Sequence, residues 1–239
     1  MRPAWYSLEH GGWRDYVTLL HPPYTLWHLA YVGIGAGLAP QLDGWRLAAT
    51  FAAFALAMGV GAHALDELNG RPLATAIPSP VLVALATVSI AAAAGIGIAV
   101  AVSFDLWLIA FVVVGSFVVV AYNLELFGGR LHSDGWFALT GGAFPVLTAF
   151  FAMAGELRIE TVLAAGFAAL LSLAQRRLST PVRALRRRTL AISGALVEQD
   201  GVERPLTAEA LTEAPEAPLR ILTLATALLA TALLLRHLR

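Results

Sequence analysis

Three ionisable residues at helical spacing dominate the chemistry that this sequence offers. His63, Asp66 and Glu67 stand at positions i, i+3 and i+4, which share one face of an α-helix. Carboxylates favour Mg²⁺, whereas mixed imidazole and carboxylate ligands suit Zn²⁺, Mn²⁺ or iron. The spacing therefore predicts a catalytic group that holds a divalent metal at the end of an apolar segment.

Further polar residues are expected at the same membrane depth. The additional candidates for metal ligands are His28, Glu125, His132 and Asp134. The candidates for substrate binding are Arg71, Asn123 and Arg130. Each ionisable side chain at membrane depth costs about 2.5 to 3.5 kcal/mol, so a group of them that faces a helical bundle predicts a functional site.

Simpler structural roles stay open for the same residues. Asp66 and Glu67 could be solvated where their helix leaves the membrane. Ser133 or Asp134 could cap a helix that begins at the next residues. His28 could make an interhelical hydrogen bond, as polar side chains in membrane helices often do.

The elements that must position these residues are predicted to be transmembrane helices. Of the 239 residues, 58% are hydrophobic and 13% are charged, and the mean hydropathy is +0.72. These values exceed what a soluble core requires. The chain has no cysteine, which excludes disulfides and thiolate metal sites. All 16 basic residues are arginine, as in GC-rich bacterial genomes, and no nucleic-acid partner is expected.

Seven apolar segments are long enough to span a bilayer of roughly 30 Å. They cover residues 24–41, 45–68, 80–102, 104–122, 135–154, 159–175 and 218–235. Residues 1–23 are predicted to lie at the membrane interface, and residues 24–175 hold six of the spans. Residues 176–217 are predicted to form a cytosolic arginine-rich loop, part of it an amphipathic surface helix. The prediction is one all-α, polytopic membrane domain over residues 1–239.

The glycines within these segments predict close helix packing. Gly33, Gly35 and Gly37 stand in the first span without a preceding strand, which argues against a nucleotide-binding loop. Small residues inside an apolar span permit two backbones to approach each other. Gly141, Gly142 and Pro145 in the fifth span are interpreted as either a packing element or a kink that widens a cavity.

The placement of arginine predicts a cytosolic N-terminus. In that orientation twelve of the 16 arginines lie inside, where Arg220 is counted with the last cytosolic segment. The other four lie outside, namely Arg46, Arg158, Arg236 and Arg239. The positive-inside rule favours this arrangement. We therefore expect an integral protein of a bacterial inner or plasma membrane, with the His63 group at its cytosolic face.

The stretch from His63 to Pro78 resembles a motif of the UbiA superfamily of intramembrane prenyltransferases. It reads HALDELNGRPLATAIP, where the family has Asn-Asp-x-x-Asp-x-x-x-Asp and an Arg-Pro-Leu-type segment further on. The Pro22-Pro23-Tyr24 opening and the Gly-Gly-x-x-Pro pattern of the fifth span are also similar. The resemblance covers roughly residues 20–180.

This resemblance implies a UbiA-like bundle in which cytosolic aspartates hold Mg²⁺ against an isoprenoid diphosphate. The chain departs from the family at several positions. Asp66 matches the second aspartate, but His63 and Gly70 replace the first and the last. The second aspartate motif is replaced by a basic stretch that includes Arg176 and Arg183, and arginines can bind a diphosphate bidentately.

Three functions follow from these observations. The first, which we favour, is a UbiA-like enzyme that transfers or processes an isoprenoid or lipid diphosphate at a cytosol-facing Mg²⁺ site. The second is a membrane oxidoreductase or hydrolase in which the histidines and carboxylates hold Zn²⁺, Mn²⁺ or iron. The third is a non-catalytic lipid-binding membrane protein. In each case the expected partner is a membrane lipid or an isoprenoid.

Overall fold

The computed structural model describes residues 2–238, and the described part folds into eight helices and one short β-hairpin. The helices are α1 Trp13–Leu19, α2 Pro22–Leu38, α3 Gly44–Leu68, α4 Ser79–Ser103, α5 Leu108–Asn123, α6 Asp134–Ala154, α7 Ile159–Arg188 and α8 Ala208–Leu235. A 3₁₀ turn, Arg236–Leu238, extends α8. The hairpin pairs β1 Ala195–Val197 with β2 Glu203–Pro205 in antiparallel register. The predicted outer position of Arg239 falls outside the described residues.

Five helices are long and apolar enough to cross a membrane, namely α3, α4, α6, α7 and α8 with its 3₁₀ turn, counted over residues 2–238. Each of the other two predicted spans is also a helix, but a shorter one. The helix α2 has 17 residues and α5 has 16. At about 1.5 Å per residue, 16 residues extend about 24 Å, which is less than the roughly 30 Å of a bilayer core. The structure supports an all-α bundle of membrane type, with five spans by length and composition.

The arginine-rich segment is more helical than the sequence predicts. The helix α7 continues past the expected end of the sixth span to Arg188, and α8 begins at Ala208 instead of residue 218. The predicted loop of 176–217 therefore shrinks to residues 189–207. The extra turns of α7 are not a separate surface helix, because Ser179 and Val182 are buried.

The helix α2 packs between α6 and α8 at the centre of the bundle. Trp27 and Tyr31 are fully buried there, and the indole N–H of Trp27 donates to the Tyr31 hydroxyl at 2.6 Å. A Cβ atom added at Gly35 would stand 2.3 Å from the carbonyl oxygen of Val146 in α6. A Cβ at Gly142 would similarly meet the backbone of Ala168 in α7 at 2.5 Å. The prediction of close helix packing is confirmed for Gly35 and Gly142.

Two helices contain a π-helical stretch. In α3 it covers Ala55–Ala62 and ends immediately before His63. In α6 it covers Ala138–Ala143 and includes Gly141. Such stretches alter the direction of the side chains that follow, and they occur often at functional sites.

The N-terminal segment covers one end of the bundle. The buried carboxylate of Asp15 accepts hydrogen bonds from the backbone N–H groups of Gly11 and of Ala76, the latter in the α3–α4 connection. The Nε atom of Arg187, at the end of α7, donates to the carbonyl oxygen of Pro3 at 3.2 Å. Three parts of the chain that the arginine pattern assigns to the cytosol thus meet at this end. Their cytosolic orientation stays a prediction.

Candidate functional site

A cavity of about 250 Å³ opens between helices α2 to α7. One end is polar and the rest is apolar. The polar end is lined by His21, Tyr24, His28, His63, Asp66, Tyr122, Asn123, His132, Gln175, Arg176, Ser179, Arg183 and Arg187. The apolar body is lined mainly by alanine, glycine, valine and phenylalanine residues of α3 to α6. Its far end is lined by Ala49, Leu108 and Ala152.

The apolar body is deep. Along α3 it extends from His63 to Ala49, which are 14 positions apart in the sequence. At about 1.5 Å per residue this corresponds to about 21 Å, or two thirds of a bilayer core of roughly 30 Å. A cavity of this shape and polarity fits an amphiphile that has a polar head and a long apolar tail.

Three histidines at the polar end share one hydrogen-bond pattern. The Nδ1 atom of each lies close to a backbone carbonyl oxygen: 2.7 Å for His28 and Tyr24, 3.1 Å for His63 and Gly59, and 3.1 Å for His132 and Tyr122. A carbonyl oxygen only accepts hydrogen bonds, so Nδ1 must carry the proton. In the neutral ring the Nε2 atom then holds a lone pair. The polar end therefore contains three potential proton acceptors.

The fourth histidine, His21, lies just before α2 and plays a different part. Its Nδ1 atom is hydrogen-bonded to the hydroxyl group of Tyr6, and its ring stacks on that of His63 at a centroid distance of 4.2 Å. Burial, aided by His63 and by the charges of Arg187 and Arg183, lowers the pKa of His21 well below its usual value. Burial also raises the pKa of Tyr6. Both groups are therefore neutral at pH 7.

The polar end carries an excess of positive charge. Arg183 donates to the Thr180 hydroxyl and Arg187 to a backbone carbonyl, and within residues 2–238 neither forms an ion pair with a carboxylate. Asp66 is half-buried, and its carboxylate has no hydrogen bond or ion pair among the described residues. Arg176 is neutralised by Asp134 at 2.6 Å. Half-buried cations without a partner are costly, so this end suits an anion.

The structure brings five of the ten predicted site residues together. His28, His63, Asp66, Asn123 and His132 line the cavity. The remaining five are not among its lining residues: Glu67, Arg71, Glu125, Arg130 and Asp134.

Glu67 and Arg71 organise the connection between α3 and α4. The fully buried carboxylate of Glu67 accepts hydrogen bonds from the backbone N–H of Leu73, at 3.0 Å, and from the N–H and the hydroxyl of Thr75, both at 2.8 Å. Arg71 donates to the carbonyl of Ile77 at 2.6 Å and to the Ser79 hydroxyl at 2.7 Å. The Arg-Pro-Leu segment therefore forms a turn that is tied to the end of α3.

The predicted residues around the start of α6 also have structural partners. The carboxylate of Asp134 binds Arg176 and, at 3.3 Å, Arg177. The hydroxyl group of Ser133 caps α6 by accepting a hydrogen bond from the backbone N–H of Trp136, which confirms the first of the two predicted capping residues. Glu125 is exposed and stands 4.0 Å from the Nδ1 atom of His132, and Arg130 is exposed.

The predicted metal ligands do not assemble into a metal-binding group. Over residues 2–238 there is no set of three or more histidine, aspartate or glutamate side chains arranged to hold a metal ion. The carboxylate of Glu67 is hydrogen-bonded to the α3–α4 connection, and that of Asp134 is paired with two arginines. Within residues 2–238, Asp66 is the one carboxylate of the predicted set that lines the cavity. The residues therefore do not fit the implied Mg²⁺, and metal binding stays a prediction.

Sequence reasoning did not include Arg187 or His21 in the predicted site. It named Arg183 in a basic stretch that can bind a diphosphate, but it placed this stretch in a cytosolic loop, and it placed His21 in the interfacial segment. A usable signal was present, because Arg176, Arg183 and Arg187 stand at i, i+7 and i+11, which share one face of a helix. The buried Ser179 and Val182 between them reinforce the helical pattern.

Comparison with known proteins gives no matching family model, no similar curated protein and no similar solved structure. The resemblance to the UbiA superfamily therefore stays a prediction that rests on the residues between His63 and Pro78.

Proposed function

We propose that the protein is an integral membrane enzyme that binds an isoprenoid or related lipid diphosphate in this cavity and transfers its apolar group to an acceptor. The observation that carries the proposal is the pairing of Arg183 and Arg187 at one end with an apolar body about 21 Å deep. The head of the ligand lies at the arginines. Its tail lies between α3, α4, α5 and α6.

The charges at the polar end suit the headgroup. An arginine guanidinium binds phosphate oxygens through two parallel hydrogen bonds, and it keeps its charge under all physiological conditions. Arg183 and Arg187 are one turn apart on α7 and both line the cavity, so they can grip one diphosphate together. In this proposal they neutralise the headgroup, a task that the family resemblance assigns to aspartate-bound Mg²⁺.

The apolar body suits the reaction. When the bond between C1 of an allylic group and the diphosphate oxygen breaks, the electron pair leaves with the diphosphate. Fixed positive groups stabilise the charge that develops there. The apolar walls exclude the water that would quench the allylic cation.

The test is equilibrium binding of geranylgeranyl diphosphate to the purified protein in nanodiscs, with EDTA and with Mg²⁺. A charge-assisted hydrogen bond contributes about 1.5 to 3 kcal/mol, so Arg183→Gln and Arg187→Gln should each weaken binding by about tenfold or more. Arg188→Gln is the matched control, because Arg188 is exposed and does not line the cavity.

The outcomes separate the candidate functions. Tight binding in EDTA that both arginine variants weaken supports the proposal. Binding that requires Mg²⁺ and ignores the arginines would restore the metal-dependent mechanism of the family resemblance. Binding without turnover when acceptor lipids are added would leave a lipid-binding role, and no binding under either condition would refute the proposal.

A further inference from the structure

The cavity wall contains a buried nitrogen that has no partner within residues 2–238. It is the Nε2 atom of His28, a residue that is only 5% exposed. The ring cannot turn to correct this, because Nδ1 donates to the carbonyl of Tyr24 at 2.7 Å. The rings of Tyr31 and Phe137 stand edge-on to it. His28 thus presents a fixed, unsatisfied acceptor to the cavity that it lines.

Gly141 of α6 lies beside this nitrogen. A Cβ atom at Gly141 would stand 3.1 Å from Nε2 of His28. Gly141 belongs to the π-helical stretch of α6 and also lines the cavity. An unsatisfied buried acceptor costs about 1 to 3 kcal/mol, which a hydrogen-bond donor that enters from the cavity and reaches Nε2 would recover.

We propose that the cavity binds the hydroxyl group of an acceptor substrate beside His28, with Nε2 of His28 as the atom that receives its hydrogen bond and then its proton. This inference rests on the proposed function, since it names the second substrate of the same cavity. His28 lies within electrostatic range of His63, which stacks on His21. The hydroxyl therefore lies near the end of the cavity that holds the diphosphate.

The transfer step balances with these groups alone. The hydroxyl oxygen forms a bond to C1 of the allylic group, and the bond from C1 to the diphosphate oxygen breaks. The hydroxyl proton passes to Nε2 of His28, which becomes an imidazolium because Nδ1 already carries a proton. The diphosphate leaves with the electron pair and stays bound to Arg183 and Arg187. The products are a prenyl ether and diphosphate, and no oxidant or reductant takes part.

The first measurement compares two probes that differ only in the donor. Geranylgeraniol carries a hydroxyl group, and its methyl ether does not. In wild-type protein in nanodiscs, the alcohol should bind about fivefold more tightly than the ether, as expected for one buried hydrogen bond. This preference should disappear in His28→Phe, and also in Gly141→Ala, where the added methyl group would stand 3.1 Å from Nε2 and hinder the approach of a donor. His10→Phe, at an exposed position, should keep it.

The second measurement is nitrogen NMR of histidine-labelled protein, in which the signal of the unprotonated Nε2 of His28 is identified as the one that is absent from His28→Phe. In wild type this signal should move when geranylgeraniol is added and should not move with the ether. Equal affinity for both probes in wild type, or a preference that survives in His28→Phe, would overturn the inference. Binding of geranylgeranyl diphosphate to the same sample tests the proposed function separately, so its loss and the loss of the hydroxyl preference can be told apart.

Discussion

Replacement of Glu67 by glutamine separates a structural carboxylate from a metal ligand. The Glu67 carboxylate accepts three hydrogen bonds, two at Oε1 from Thr75 and one at Oε2 from Leu73, and it is fully buried. If the amide oxygen of glutamine replaces Oε1, the two bonds from Thr75 persist. The amide NH₂ group then faces the backbone N–H of Leu73, so that two donors meet.

The magnitude follows from these contacts. A hydrogen bond to a charged acceptor contributes about 1.5 to 3 kcal/mol, and a buried N–H left without an acceptor costs about 1 to 3 kcal/mol. Part of this is recovered because a neutral amide is easier to bury than a carboxylate. We therefore expect Glu67→Gln to lower the free energy of unfolding by about 2 to 3 kcal/mol, and diphosphate affinity to change by less than about threefold.

The assay is reversible unfolding in mixed micelles, in which SDS is titrated and helicity is followed by circular dichroism. Glu125→Gln is the control, because Glu125 is exposed and its side chain makes no hydrogen bond within residues 2–238. A Glu67→Gln protein that is as stable as wild type but loses a bound metal or its activity would refute this reasoning. That result would return Glu67 to the metal-ligand role predicted from its spacing.

Three other predictions test separate parts of the structure. In the same unfolding assay, Gly35→Ala should destabilise the protein by about 1 to 3 kcal/mol, because the added Cβ would clash with the α6 backbone. The control is Gly95→Ala, which has open space around it and should be neutral or stabilise α4 by up to about 1 kcal/mol. Arg186→Gln should lower the free energy of unfolding by about 2 kcal/mol, since Arg186 binds both oxygens of Glu216, which is 1% exposed, while Arg220 stays 3.5 Å from one of them. Equal stability would show that the pair of Arg186 and Glu216 contributes nothing. Burial lowers the pKa of His21 in the folded protein. Below about pH 6.5 the unfolded state therefore binds more protons than the folded state, and the free energy of unfolding should decline from pH 7 to pH 5. This decline should be smaller in His21→Gln, as measured by unfolding at both pH values, and an identical decline would contradict the assignment.

Apolar composition and glycine placement predicted the architecture well. Each of the seven apolar segments forms a helix, because a long run of apolar residues without breakers has few other stable forms in lipid. Gly35 and Gly142 lie at close backbone contacts, as small residues in such segments usually do. Ser133 caps α6 because a hydroxyl before a helix finds an unpaired backbone N–H.

Helical spacing predicted the site only in part. It correctly assigned His63 and Asp66 to one face, and both line the cavity. Helical spacing could not show that Asp66 and Glu67 have different surroundings. Glu67 is one residue further round the helix and faces the α3–α4 connection instead of the cavity. The donors that bind Glu67 come from Leu73 and Thr75, in a turn whose conformation follows from packing and not from local sequence.

The arginine end of the cavity was missed for a similar reason. The arginine-rich, polar composition of residues 176–217 indicated a loop, and a proline inside a helix, such as Pro181, costs about 3 kcal/mol or more. Tertiary contacts outweigh that cost in the fold. Val182 is buried, and Arg186 binds Glu216 on α8 at 2.6 Å, which holds the last turns of α7 against the bundle. Neither contact can be inferred from residues 176–188 alone.

The central claim is that one cavity holds both the head and the tail of a prenyl diphosphate. The most direct test is the ratio of affinities for geranylgeranyl diphosphate and inorganic diphosphate, measured in EDTA for wild type, Ala53→Phe and Ala52→Phe. Ala53 lines the apolar body, whereas Ala52 is exposed on another face of α3. Each buried methylene contributes about 0.8 kcal/mol, so the wild-type ratio should exceed about a hundredfold. We predict that Ala53→Phe lowers this ratio at least about tenfold while inorganic diphosphate binds as before, and that Ala52→Phe keeps it. A ratio that Ala53→Phe leaves unchanged would contradict the account.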